Sequence, residues 1–298
     1  MANPQLVSLS HRLRNIAAQE GVPPQRVRNR YLFQRVLARL SRDPRWVLKG
    51  GFSLELRLGL AARTTKDLDL LRWDAVGLTA ADLQDLLDEA LDVDLGDDCT
   101  FVVRLPRQVR AEDEMPSTWR VVVDVQVARS PFATVTIDVV TRTAEPTEGL
   151  DAVTVRPVLG GESFAVRSVD LARHAAEKTH AYARVYAHER SSSRVKDLVD
   201  LALLIERGLI EPLAFAHAVE AVFTERDATA PPQDLPDPPG DWRAPYASMA
   251  TEIGLDERTL DGAAELVRRF YLSAFNDKEL RCPPRSPPPR PPRPACRR

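Results

Sequence analysis

The chain has 298 residues, 44% hydrophobic and 28% charged, with a formal net charge of -2. This composition excludes a disordered chain and leaves room for a sizeable core in two lobes or one large domain. No apolar run approaches the ~18 residues that cross a bilayer, the opening MANPQLVSLSHRLRN lacks the apolar centre of a secretion signal, and Cys99, Cys282 and Cys296 form neither a disulfide framework nor a metal spacing; no membrane partner is expected, and the expected compartment is cytoplasmic.

In chain order, amphipathic periodicity predicts helices over residues 4–18 and 24–42. Nine arginines lie between positions 12 and 45 against only Glu20 and Asp43, which makes this stretch a solvated face or a surface for a polyanion such as RNA. Lys49-Gly50-Gly51 then leads into a predicted helix over 52–58, and the pattern changes to period two at 67–71, a short strand. Thr79-Ala80-Ala81-Asp82 has the form of a capping box that opens a helix to about Leu91. The nine acidic residues from 74 to 98, with no Lys or Arg among them, read as a solvated face.

Strands are predicted over 100–105, 120–128 and 133–142, the last two joined by a hairpin turn at Arg129-Ser130-Pro131. Beyond Ser168 the chain reads as helical, over 169–188, 194–207 and 212–224. The proline-rich segment 229–245 cannot be helix interior and is expected to be a loop or an extended crossing. A last helix is predicted over 256–275. Residues 281–298, with eight prolines and six arginines, are expected to form a disordered, extended basic tail.

The chemistry concentrates around Asp67-Leu68-Asp69. On a strand, residues i and i+2 share a face, so both carboxylates project together while Leu68 points into packing. At roughly 4–6 Å, two bare carboxylates repel by several kcal/mol at an effective dielectric near ~20, so a cation belongs between them, and Mg²⁺ is the natural one. Upstream, Gly50 and Gly51 at a helix amino end let backbone amides approach a phosphate, with the Ser53 hydroxyl as a further donor. A third acid is expected from a neighbouring strand; Asp138 is favoured and Asp124 is its rival. Only five of the 41 basic residues are lysine, and Lys49, Lys66, Lys178 and Lys196 all fall in these motifs, which points to compact ammonium groups where a nucleotide would bind. Lys178 lies on the apolar stripe of its helix and Asp197 on that of the next, so they are cleft partners: either a structural ion pair, or a lysine on a triphosphate with an acid that orients it.

These motifs carry a resemblance. Lys49-Gly50-Gly51-Phe52-Ser53-Leu54, Arg63-Thr64-Thr65-Lys66-Asp67-Leu68-Asp69, Glu177-Lys178-Thr179-His180-Ala181 and Arg194-Val195-Lys196-Asp197-Leu198-Val199-Asp200 resemble, in this order, the AbiEii/AbiGii toxin family. The wording around the glycines and the paired acids is most similar to the mycobacterial MenT toxins. The resemblance implies an α+β fold with a DNA polymerase β-like nucleotidyltransferase core, a mixed sheet with flanking helices, and a helical carboxy-terminal lobe. The expected division is a nucleotidyltransferase lobe over 1–160, a helical lobe over 161–280 and the tail beyond. It further implies the toxin of a toxin–antitoxin pair with a cognate antitoxin, transferring nucleotides, often pyrimidines, from a nucleoside triphosphate to the 3′ end of tRNA with Mg²⁺ or Mn²⁺. Carried onto this sequence, Asp67, Asp69 and Asp138 become metal ligands, and Asp67, Asp69, Lys178 and Asp197 the catalytic set. Gly50, Gly51, Ser53, Lys66, Arg194 and Lys196 become nucleotide contacts.

Overall fold

The computed structural model describes residues 3–75, 77–109, 118–142, 149–184 and 194–281. The expected tail beyond Arg281 and the far end of the helix predicted to reach His188 lie outside the described residues.

Two helices open the chain: α1 (Pro4–Glu20) and α2 (Pro24–Leu40). Asn3 caps α1 by accepting from the Gln5 amide at 3.0 Å, Pro4 takes the first position where its missing N–H is harmless, and Gly21 ends the helix at φ +66°. Then follow β1 (Trp46–Lys49), α3 (Gly50–Leu58), β2 (Asp67–Trp73) and α4 (Ala80–Leu91), which starts at the predicted capping box of Thr79 and Asp82. The strands β3 (Cys99–Val103), β4 (Arg107–Val109), β5 (Thr118–Val127) and β6 (Ser130–Arg142) come next, with β5 and β6 turning at Ala128 and Arg129 in left-handed conformations.

Two further strands follow, β7 (Leu150–Val155) and β8 (Phe164–Val169), which, like β1 and β4, are not anticipated from the sequence. The helix expected from Val169 therefore begins later, as α5 (Leu171–Ala183), with Asp170 accepting from the Arg173 amide at 2.7 Å as its cap. Val169 itself still belongs to the sheet, paired with Leu150. The remaining helices are α6 (Val195–Glu206), α7 (Pro212–Asp227), α8 (Arg243–Ile253) and α9 (Leu260–Arg281). Helix α8 is not among the predicted helices and begins inside the proline-rich segment expected to be a loop; Pro245 sits in its first turn, where proline is tolerated.

The described strands form one mixed sheet in the order β3-β5-β6-β2-β1-β8-β7, with β4 beside β5. The pairs β2–β6 and β1–β8 are parallel, and the others antiparallel. One sheet face, with Leu68, Leu70, Val121, Val123, Val135, Ile137 and Val139, packs on α1, α2 and α4 in one apolar core. A second core gathers α5 through α9 with Leu54 and Ala62. Burial alternates strictly along β5, with Val121, Val123, Val125 and Val127 in the first core, so the intervening residues face the other side. That other side carries the carboxylates.

Candidate active site

Asp67 and Asp69 project from the face of β2 opposite the first core, since Leu68 and Leu70 are buried within it. The parallel neighbour β6 places Asp138 directly beside Asp69, and Asp67 beside Thr136. The register thus puts Asp138 beside the paired acids, whereas Asp124 lies opposite Thr134, four residues earlier on β6. Asp124 is instead held by Arg104 through two bonds of 2.7 Å and by the Thr134 hydroxyl at 3.1 Å.

The turn above β2 explains the first glycine. Gly50 opens α3 at φ +67°, and a Cβ there would overlap the Asp69 carboxylate, so both the backbone conformation and the close approach demand glycine. The amino end of α3 thus stands directly against Asp69. Burial pushes the Asp69 carboxyl up to about 6; Lys49 and Lys178 oppose the shift, while Asp138 and Asp67 add to it. Among the described residues neither Asp67 nor Asp69 has a cation within 4.0 Å.

Ser53 corrects the sequence reading. Its hydroxyl is fully buried, bonded to Ser168 Oγ at 2.8 Å and to the Arg57 guanidinium, so it ties α3 to β8 and does not face a phosphate. Phe52 is likewise internal, edge-on to Phe33 at 5.0 Å. Lys66 and Lys196 are exposed, and Arg194 reaches Asp197 at 3.4 Å.

Lys178 and Asp197 do meet, at 3.0 Å. The sequence reading did not give Asp200 its part: it is fully buried, 2.7 Å from Lys178 Nζ, and it accepts two bonds of 3.0 Å from Arg63. Although burial opposes it, Lys178 and Arg63 hold the Asp200 carboxyl below its usual range. Arg63 lies just before the Asp67 strand, so this network ties α5 and α6 to the segment that delivers the paired acids. Lys49 and Glu177 form a second tie at 2.9 Å between β1 and α5. Despite burial, Lys49 and Arg226 keep Glu177 well below the ordinary carboxylate range. Arg63, Glu177 and Asp200 were all inside the recognised motifs, and their pairing with opposite charges across motifs was the signal available.

The amino-terminal arginines prove to be largely internal braces. Arg26 pairs with Glu55, Arg30 with Glu20, Arg35 and Arg39 with Asp97, and Arg45 with Asp43. Five of the nine arginines are thus paired with acids, while Arg12, Arg14, Arg28 and Arg42 have no acidic partner among the described residues, so any polyanion face here is narrower than the sequence count suggests. A cavity of about 280 Å³ lined by Arg14, Arg28 and Phe132 lies on this helical side of the sheet, not on the carboxylate face.

Hard oxygen donors on adjoining strands suit Mg²⁺ or Mn²⁺, and Mg²⁺ needs only one or two protein carboxylates beside substrate phosphates. Among the described residues no three His, Cys, Asp or Glu side chains are gathered for an ion; Asp138 is turned to Arg120, which donates to it at 2.9 and 2.7 Å. Asp67 and Asp69 could hold such an ion as they stand, whereas Asp138 could join them only if Arg120 let it go. Also among the described residues, no helix is long and apolar enough to cross a membrane.

No curated protein matches the chain. The family described as "Nucleotidyl transferase AbiEii toxin, Type IV TA system" matches residues 30–270, a span that holds the paired acids, the glycine turn, Lys178 and Asp200. The chain belongs to the AbiEii toxin family of nucleotidyl transferases from type IV toxin–antitoxin systems.

Proposed function

We propose that this nucleotidyl transferase moves a nucleoside monophosphate, a pyrimidine one by its resemblance to MenT toxins, from a nucleoside triphosphate to the 3′ hydroxyl of tRNA and so blocks translation. The observation that carries the reading is the register of Asp69 with Asp138 on parallel neighbours, beneath the glycine turn that opens α3. Acids on adjoining strands of a mixed sheet also support a DNA polymerase β-like core. Family membership implies a cognate antitoxin.

In the transfer, the 3′ oxygen bonds to the α-phosphorus, the bond to pyrophosphate breaks, and Asp138 accepts the hydroxyl proton. Asp67, Asp69 and Asp138 would hold Mg²⁺ or Mn²⁺, whose charge, when bound, makes the hydroxyl more acidic and neutralises the leaving oxygens. The amides at Gly50 and Gly51 open the helix that faces Asp69 and receive the phosphates. Lys178, fixed by Asp197 and Asp200, contributes a positive charge that reaches Asp69. Lys66, Lys196 and Arg194 remain proposed nucleotide contacts at the surface of the cleft.

The test is to incubate the protein with tRNA, a divalent ion and each labelled triphosphate. Label at the RNA 3′ end that disappears with Asp69→Asn is expected. No RNA labelling with any triphosphate, or labelling that Asp69→Asn leaves intact, rejects the proposal; label on a protein band would move the acceptor from RNA to protein.

A further inference from the structure

Five side chains stand in register across the sheet: Arg107 on β4, Arg120 on β5, Asp138 on β6, Asp69 on β2 and Lys49 on β1. Residues directly opposite share a face and lie about 4.8 Å apart, so the row spans roughly 19 Å. Its charges read plus, plus, minus, minus, plus. The two ends differ in kind.

At the Lys49 end the cation is mostly buried and committed to Glu177 at 2.9 Å, and the helix opened by Gly50 covers Asp69. At the other end the cations are open. Arg120 is 51% exposed while holding Asp138, and Arg107 is exposed with no acidic partner among the described residues. Like charges directly opposite on paired strands destabilise the pair, and Asp138 can neutralise only one of the two. The arrangement has an electrostatic use if a polyanion lies along β4 and β5. The rival basic surface, on α1 and α2, keeps Arg12, Arg14, Arg28 and Arg42 without an acidic partner among the described residues, but it packs on the sheet face opposite the carboxylates, where an acceptor end could not reach them.

We infer that Arg107 and Arg120 form the track for the phosphodiester backbone of the RNA acceptor, and that Arg120 passes from Asp138 to an acceptor phosphate when the RNA arrives. The inference rests on the proposed RNA acceptor. Its consequence is directional: the acceptor end enters over β4 and β5, and the triphosphate lies on the Gly50 side of the same carboxylates. Arg120 is then a positioning residue. It neutralises Asp138 while the acceptor is absent and frees it to take the hydroxyl proton when the acceptor is in place.

The experiment measures tRNA binding by the full chain without triphosphate, as fluorescence anisotropy across a salt series, for Arg107→Met, Arg120→Met and Arg120→Lys. Each lost phosphate contact lowers the logarithmic salt slope by about 0.7–0.9, or binding by roughly five- to eightfold near ~0.1 M salt. That loss is expected for both methionine variants, with Arg120→Lys retaining most of the affinity. Arg120 and Arg107 are exposed, so melting temperatures should stay near wild type; a role confined to bracing Asp138 would leave the salt slope unchanged. If wild type labels RNA but both methionine variants bind it with the wild-type slope, this inference falls alone. If wild type labels no RNA, the underlying acceptor reading falls with it.

Discussion

Asp200→Asn is the most informative single substitution, because it keeps the shape of the side chain and removes only its charge. In the wild type, Asp200 and Asp197 face Lys178 and Arg63, two acids against two bases, with Asp200 fully buried and its contacts at 2.7 and 3.0 Å. After the change, one partly exposed carboxylate remains for two cations, and an amide cannot accept from both with the same geometry. Leaving a buried charge without its partner costs about 3–5 kcal/mol. At roughly 2–4 °C per kcal/mol for a chain of this size, the melting temperature should fall by about 6–20 °C. The carboxyl is held below its normal value by Lys178 and Arg63, so this stabilisation is present above about pH 4 and is lost as pH falls below it. Urea unfolding of wild type and variant above and below that pH measures both effects. Arg63→Met added to Asp200→Asn should recover stability, because Lys178 and Asp197 then form a balanced pair. A loss below about 1 kcal/mol at neutral pH, or no recovery in the double variant, would refute the assignment of Asp200 as the centre of the network.

Gly50→Ala should abolish labelling and destabilise the chain by at least about 1 kcal/mol, since alanine is strained in the left-handed conformation and would press on Asp69; activity near wild type would show that the close approach has no importance. Ser53→Ala should lower stability by about 1 kcal/mol through the lost bonds to Ser168 and Arg57 while leaving the KM for triphosphate unchanged; a raised KM would restore Ser53 as a phosphate contact. Burial holds His174 neutral by lowering its pKa to about 3. Through His174 the unfolded state therefore binds more protons below about pH 6.5, so the stability difference between wild type and His174→Gln should change by about 1.4 kcal/mol, to the disadvantage of wild type, between about pH 7.5 and about pH 5.5, while the opposing contribution of Asp69 is common to both proteins. Equal urea midpoints for the wild type and His174→Gln at both pH values would contradict that placement.

Much of the site was legible locally. Period-two alternation put Asp67 and Asp69 on one face, the glycine pair marked the turn before α3, and Thr79 with Asp82 announced the start of α4. These features depend on backbone geometry within a few residues. The choice between Asp138 and Asp124 required the β2–β6 register, which no short segment encodes. Strands β1, β4, β7 and β8 were not legible because short extended runs take their structure from the neighbours they pair with, and α8 because it begins inside a proline-rich segment.

The sequence by itself determined the order of the motifs, the shared face of the paired acids and the family, because spacing and turn chemistry are properties of the covalent chain. Only the tertiary structure decided which charges are free to act. Arg26, Arg30, Arg35, Arg39 and Arg45 look alike along the chain, as do Arg107 and Arg120, yet the first group is neutralised by acids while Arg107 is exposed on the carboxylate face with no acidic partner among the described residues. A charge becomes structural or functional according to the partner that folding brings within a few ångströms, and that partner usually lies far away in sequence.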